Sequence, residues 1–138
     1  MEQLAVEIVG LCREYGECRV EVERMEEARR VKNALESVCA MARQRLDISD
    51  PALLLALLDA CEVTRDEGML QEVLDVVGRN LDRLAVSVES VKLLACCYYY
   101  VEEEECAERA RRMLEELRKM GRGEEELADA KTILKELM

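Results

Sequence analysis

A chain of 138 residues, half of them apolar, is long enough for one all-helical domain over 1–138 with a buried core. A formal charge of −11 argues against nucleic acid, which needs clustered cations, and would instead attract a basic protein or peptide. The absence of any His removes the commonest general base and the commonest zinc ligand.

The apolar set is Leu, Val, Ala, Met and Cys, with no Phe or Trp and with one Pro, and it suits helix–helix packing better than a sheet. Glu and Arg abound while Asn and Gln are scarce, a usage compatible with a thermophilic source and with a designed chain. No run of about 18 apolar residues occurs, so no membrane span is expected. Met1-Glu2-Gln3 lacks the basic stretch of a secretory signal, and the cytoplasm is the expected compartment.

The first predicted helix covers residues 2–15, carries Leu4, Ile8, Leu11 and Cys12 at helical spacing, and stops at Gly16. The second covers 22–46, with Met25, Ala28, Val31, Leu35, Val38, Ala42 and Leu46 as one buried stripe. Asp50 then caps a third helix over 51–64, with Pro51 at its first position. That helix is apolar nearly all round, so it should be central. A fourth helix is expected over 69–84, its apolar face running from Leu70 to Leu84.

Ser87 caps the fifth helix, and Val86 and Val91 stand at the spacing of a hydrophobic staple. Leu94, Cys97, Tyr98 and Val101 point to the core. The sixth helix carries Ala107, Ala110, Met113, Leu114, Leu117 and Met120 as its apolar positions and ends at Gly121. A capping helix over 124–137 follows, with one wet face. Nothing in Val101 to Glu105 forbids helix, so a continuous rod through 88–120 is the competing reading, and it would remove the third hairpin.

Short linkers make successive helices antiparallel hairpins, over 2–46, 51–84 and 88–120. In the last, Val91-x2-Leu94-Ala95-x2-Tyr98 followed by Ala107 resembles the tetratricopeptide repeat. Arg111 stands where that family has an aromatic residue, and no Gly separates the helices. The second hairpin keeps Leu54, Leu57, Cys61, Leu70, Leu74 and Val77 but has Leu58 where a small residue is usual. The resemblance implies an all-α fold: about seven helices in hairpins, stacked as a short right-handed solenoid. A compact irregular helical bundle is the plainer alternative. It also implies a concave groove lined by the first helix of each hairpin. Carried over, Lys92, Cys96, Tyr99 and Tyr100 face that groove, with Asp59 and Glu62 from the third helix and Gln3, Glu7 and Arg13 from the first. The plainer reading of the tyrosines is that they cover the edge of the core.

Catalytic residues are not expected. The carboxylates lie on polar helix faces, and no phosphate-binding glycine loop occurs. The seven Cys lack the paired spacing of zinc modules, so neither a metal nor another cofactor is expected. Most are small buried hydrophobes on this reading, and an odd number leaves at least one free in a monomer. Two disulfide pairings remain open: Cys12 with Cys18, and Cys61 with Cys96 or Cys97. Arg109, Arg111, Arg112, Arg118 and Lys119 form a basic cluster, best read as a charge-laced face with pairs such as Glu105–Arg109 and Glu108–Arg112. Together these features point to a non-enzymatic interaction module, a scaffold or adaptor that binds a partner segment. The alternative is a structural protein that self-associates into a homo-oligomer through an exposed apolar face.

Overall fold

The computed structural model describes residues 2–121, together with Ala128, Lys131, Thr132 and Lys135. The capping helix expected over 124–137 otherwise lies outside the described residues. Six α-helices are described among them: α1 (Glu2–Cys18), α2 (Met25–Arg43), α3 (Pro51–Thr64), α4 (Glu67–Arg79), α5 (Val88–Val101) and α6 (Glu104–Lys119). No strand occurs among the described residues.

Start signals in the sequence act as expected. The Asp50 carboxylate accepts from the Leu53 N–H at 3.2 Å, and Pro51 occupies the first turn where its missing N–H costs nothing. Ser87 accepts from the Ser90 N–H at 3.0 Å and starts α5. Ser90 itself is fully buried, and its hydroxyl donates to the Ala85 carbonyl at 2.6 Å, so the cap is locked to the preceding loop. Val86 remains substantially exposed while Val91 is buried, so the staple residues part company.

Several boundaries differ from the sequence expectation. α1 runs through Gly16 to Cys18, because Cys18 is fully buried and Arg19 donates to the Val63 carbonyl of α3 at 3.4 Å. Those contacts outweigh a mid-helix Gly penalty of about 1 kcal/mol. α2 begins only at Met25, after a 3-10 turn over Val22–Arg24, and Met25 is exposed rather than part of the stripe. α2 also stops at Arg43, leaving Leu46 half-buried in the connector beside the buried Ile48. α4 starts earlier, capped by Asp66 on the Met69 N–H at 3.0 Å, and ends at Arg79. A second 3-10 turn, Leu81–Arg83, then delivers Leu84 to the core from extended backbone.

The continuous rod is not formed. Glu102 takes the left-handed conformation (φ 52°) and its N–H donates to the Tyr98 carbonyl at 2.8 Å, which ends α5. Val101, placed at that terminus, is 40% exposed instead of facing the core, and Met120, just past the end of α6, is likewise exposed rather than part of its apolar stripe. Arg65 closes α3 in the same way, with φ 57° and the Cys61 carbonyl as acceptor. Both hairpins therefore turn at a left-handed residue that is not Gly.

α1 packs against α2 and α3; α3 packs also against α2, α4 and α5; α5 packs against α6 and more narrowly against α4. α3 is the hub. It buries Leu53, Leu54, Ala56, Leu57, Leu58, Ala60 and Cys61, each leucine contributing roughly 2 kcal/mol by its removal from water. One continuous buried cluster extends from Ile8 through Leu57 and Leu94 to Leu117. Arg43 ties α2 to α4 through a two-point pair with Glu72, and lies 3.7 Å from Asp66. No helix among the described residues is long and apolar enough to cross a membrane.

Candidate functional site

The N-terminal half of α1 leaves two apolar side chains uncovered beside α3. Val6 is 71% exposed and Val9 38%, although Ala5 and Ile8 beside them are buried. Facing them from α3 are Ala52 and Leu55, both half-buried. These four side chains, with Gly10, floor a hollow of about 400 Å³ whose margin carries Arg13, Asp59 and, from α5, Glu89. A Cβ built at Gly10 meets no atom within 4 Å, so that glycine opens onto free space.

Asp59 has no hydrogen-bond or ion-pair partner among the described residues. Burial of its carboxyl, then the neighbouring Glu62 charge, hold its pKa above the ordinary carboxylate value. Arg13 lines the same hollow without pairing with it. Asp59 also acts electrostatically on Cys12 of α1 and Cys96 of α5, so it stands where the three first helices of the hairpins come together.

A second hollow of about 380 Å³ lies toward the C-terminal end of α3, lined by Glu62, Arg65, Glu67, Leu70, Tyr99 and Tyr100 among others. The two rings meet edge to face, 5.3 Å between centroids. Tyr100 is half-buried and its hydroxyl donates to Glu62 at 3.5 Å; burial and the Glu62 charge push its pKa to about 12. Tyr99 is 61% exposed.

The residues expected to face a groove therefore divide. Asp59 and Arg13 line the α1–α3 hollow, whereas Glu62, Tyr99 and Tyr100 line the second. Lys92 and Cys96 are half-buried on α5 between them in sequence register. Gln3 and Glu7 are exposed on α1 but line neither hollow. Sequence reasoning missed Val6, Val9 and Leu55; the signal was there, since Val6 and Val9 stand off the Leu4–Ile8–Leu11 stripe, at positions a solvated helix normally gives to polar residues.

Compared with protein-family models, curated proteins and solved structures, the chain matches none.

Thiol chemistry is disfavoured by environment. All seven Cys are free, so neither expected disulfide forms. Cys12 and Cys18 lie on one uninterrupted helix, where six residues of rise separate them by about 9 Å, beyond bridging distance. Cys61 shares its surroundings with Cys39 and Cys12, and Cys97 with Cys106 of α6, so these two sulfurs address different helices. Burial pushes Cys12 and Cys61 up to about 12 and Cys39 and Cys96 up to about 11, leaving negligible thiolate at neutral pH. No group of three or more Cys, Asp or Glu among the described residues could hold a metal ion.

The remaining charged hollows are partly paired internally. The one between α2 and α4 carries Arg43 and Asp66, already joined as above. On α6, Arg111 pairs with Glu104, Arg112 with Glu108 and Arg118 with Glu115. Arg109 does not join Glu105; its guanidinium donates to the Leu84 carbonyl at 3.2 Å and fastens α6 to the connector before α5.

Proposed function

We propose that the chain is a non-enzymatic interaction module that holds a segment of a partner protein along the face shared by α1, α3 and α5. On this reading the three hairpins stack as a short tetratricopeptide-like right-handed solenoid. Its support is the packing order, α1 on α3 and α3 on α5, with each of these helices followed by its own hairpin partner. The observation that carries the function is the α1–α3 hollow, where Val6, Val9 and Leu55 remain open to solvent beside a finished core. The lack of His and the buried thiols leave few groups for catalysis.

Gly10→Leu tests this reading. The substitution favours helix and projects a side chain toward the hollow that Gly10 lines, its Cβ entering open space. The variant should fold at least as well as the parent and lose capture of the partner from a lysate of the source cell. Undiminished capture by a folded Gly10→Leu protein removes the hollow from the function.

Self-association is the second reading, favoured by Val20, Val22 and Met25, which are 75%, 82% and 59% exposed around the first connector. Light scattering decides it. A monomer across the accessible concentration range sinks it, and a dimer dispersed by Val22→Asp supports it.

A further inference from the structure

We propose that the α1–α3 hollow selects an amphipathic peptide segment, laying the segment's apolar side chains on Val6, Val9 and Leu55 and receiving a Lys or Arg at Asp59. This deepens the interaction-module reading and rests on it.

Several carboxylates of the molecule are paired, Glu27 with Arg24, Glu72 with Arg43 and Glu108 with Arg112, while others stand on solvated helix faces. Asp59 sits beside an apolar floor and has no such partner among the described residues. The charge that acts on it is repulsive, that of Glu62, and Arg13 on the same margin forms no ion pair with it. Asp59 is exposed overall, yet its carboxyl borders the apolar floor closely enough for desolvation to raise its pKa, and an arriving cation would add Coulomb attraction and a charge-assisted hydrogen bond there. Glu89 extends the negative margin toward α5, and the net charge of −11 steers a basic segment to the molecule before it docks. A hollow of about 400 Å³ accommodates a few side chains rather than a folded domain, which fits a segment.

The rival consequence of a strongly acidic protein is indiscriminate attraction of any cation, so the test needs a charge-matched control. Two synthetic 14-residue amphipathic peptides serve as probes, one of Leu and Lys and one of Leu and Glu, each titrated into isotope-labelled full-length protein at about 0.15 M salt. Expected are amide shifts of Val6, Val9 and Leu55 with the Leu/Lys peptide and not with the Leu/Glu peptide. Asp59→Asn should weaken the Leu/Lys peptide about five- to tenfold, while Glu26→Gln, which removes the same charge from the exposed face of α2, should leave it unchanged. Equal weakening by both substitutions, or none by Asp59→Asn, overturns selection by Asp59. In that case retention of the shifts at Val6 and Val9, abolished by Gly10→Leu, leaves the groove reading standing. Absence of shifts at the hollow with either peptide overturns both.

Discussion

Between α1 and α3 the chain leaves two valines and a leucine open beside a carboxylate with no counter-charge. Between α3 and α5 it sets two tyrosines and closes the hydroxyl of one of them onto Glu62. The two hollows share a wall, α3, and have similar volumes, yet the first is unfinished and the second largely satisfied. A surface that packs its own polar ends is explained by folding, whereas exposed apolar side chains beside a carboxylate that lacks a counter-ion add nothing to the stability of the chain itself.

The shared wall is the place to break both hollows at once. Leu57 is fully buried at the centre of α3. Leu57→Ala should cost about 2–5 kcal/mol in urea unfolding, from lost transfer energy and the cavity left behind. A cost below about 1 kcal/mol would show that α3 is not the hub of the core.

The tyrosine side is next in size. Tyr100→Ala should lose about 1–2 kcal/mol, from a half-buried ring and its hydrogen bond, whereas Tyr99→Ala should stay within about 0.5 kcal/mol. Equal effects would erase the distinction between a ring that covers the core and one that faces solvent. Smaller still is the hairpin turn beneath them. Glu102→Gly should stabilise by roughly 0.5–1 kcal/mol, because glycine adopts the left-handed backbone without the clash of a Cβ. Destabilisation there would mean that the Glu102 side chain contributes more than its backbone strain removes.

The same turn shows what could and could not be read from the residues. Caps were legible because they are local: Asp50-Pro51 and Ser87 act through hydrogen bonds spanning three residues. The separation of α5 from α6 was expected as the third hairpin, but the residue that makes the turn was not legible, because Glu favours helix and nothing local marks Glu102 for the left-handed conformation. The run from Cys96 to Glu105 resolves accordingly: Cys97 and Tyr98 are core, Tyr99 is surface, Tyr100 is edge, and Glu102 is the turn. Helix periodicity identified Leu57 and Leu94 as core, and it also set Val6 and Val9 off the buried stripe of α1, but that Ala52 and Leu55 of α3 join them around one hollow needed the packed helices. Asp59 was legible as a residue on the same face as Glu62; its lack of a counter-ion needed three helices in place.

That lack of a counter-ion sets up the most delicate comparison. Burial, then the charge of Glu62, raise the Asp59 pKa in the folded chain. Between the unfolded value, about 3.9, and the higher folded value, the native state holds more protons than the unfolded one, so stability falls as pH rises through that window. Above the folded pKa the whole penalty is present; well below about 3.9 it is absent. Asp59→Asn should therefore raise the unfolding free energy from urea titration at about pH 7, by less than about 1 kcal/mol because solvent screens an exposed side chain, and should do nothing at about pH 3. Tyr100→Phe, which removes a hydroxyl from the satisfied hollow, should instead lose stability at both pH values. A gain from Asp59→Asn that persisted in acid would come from a new amide contact, not from a relieved charge, and would make the two hollows alike.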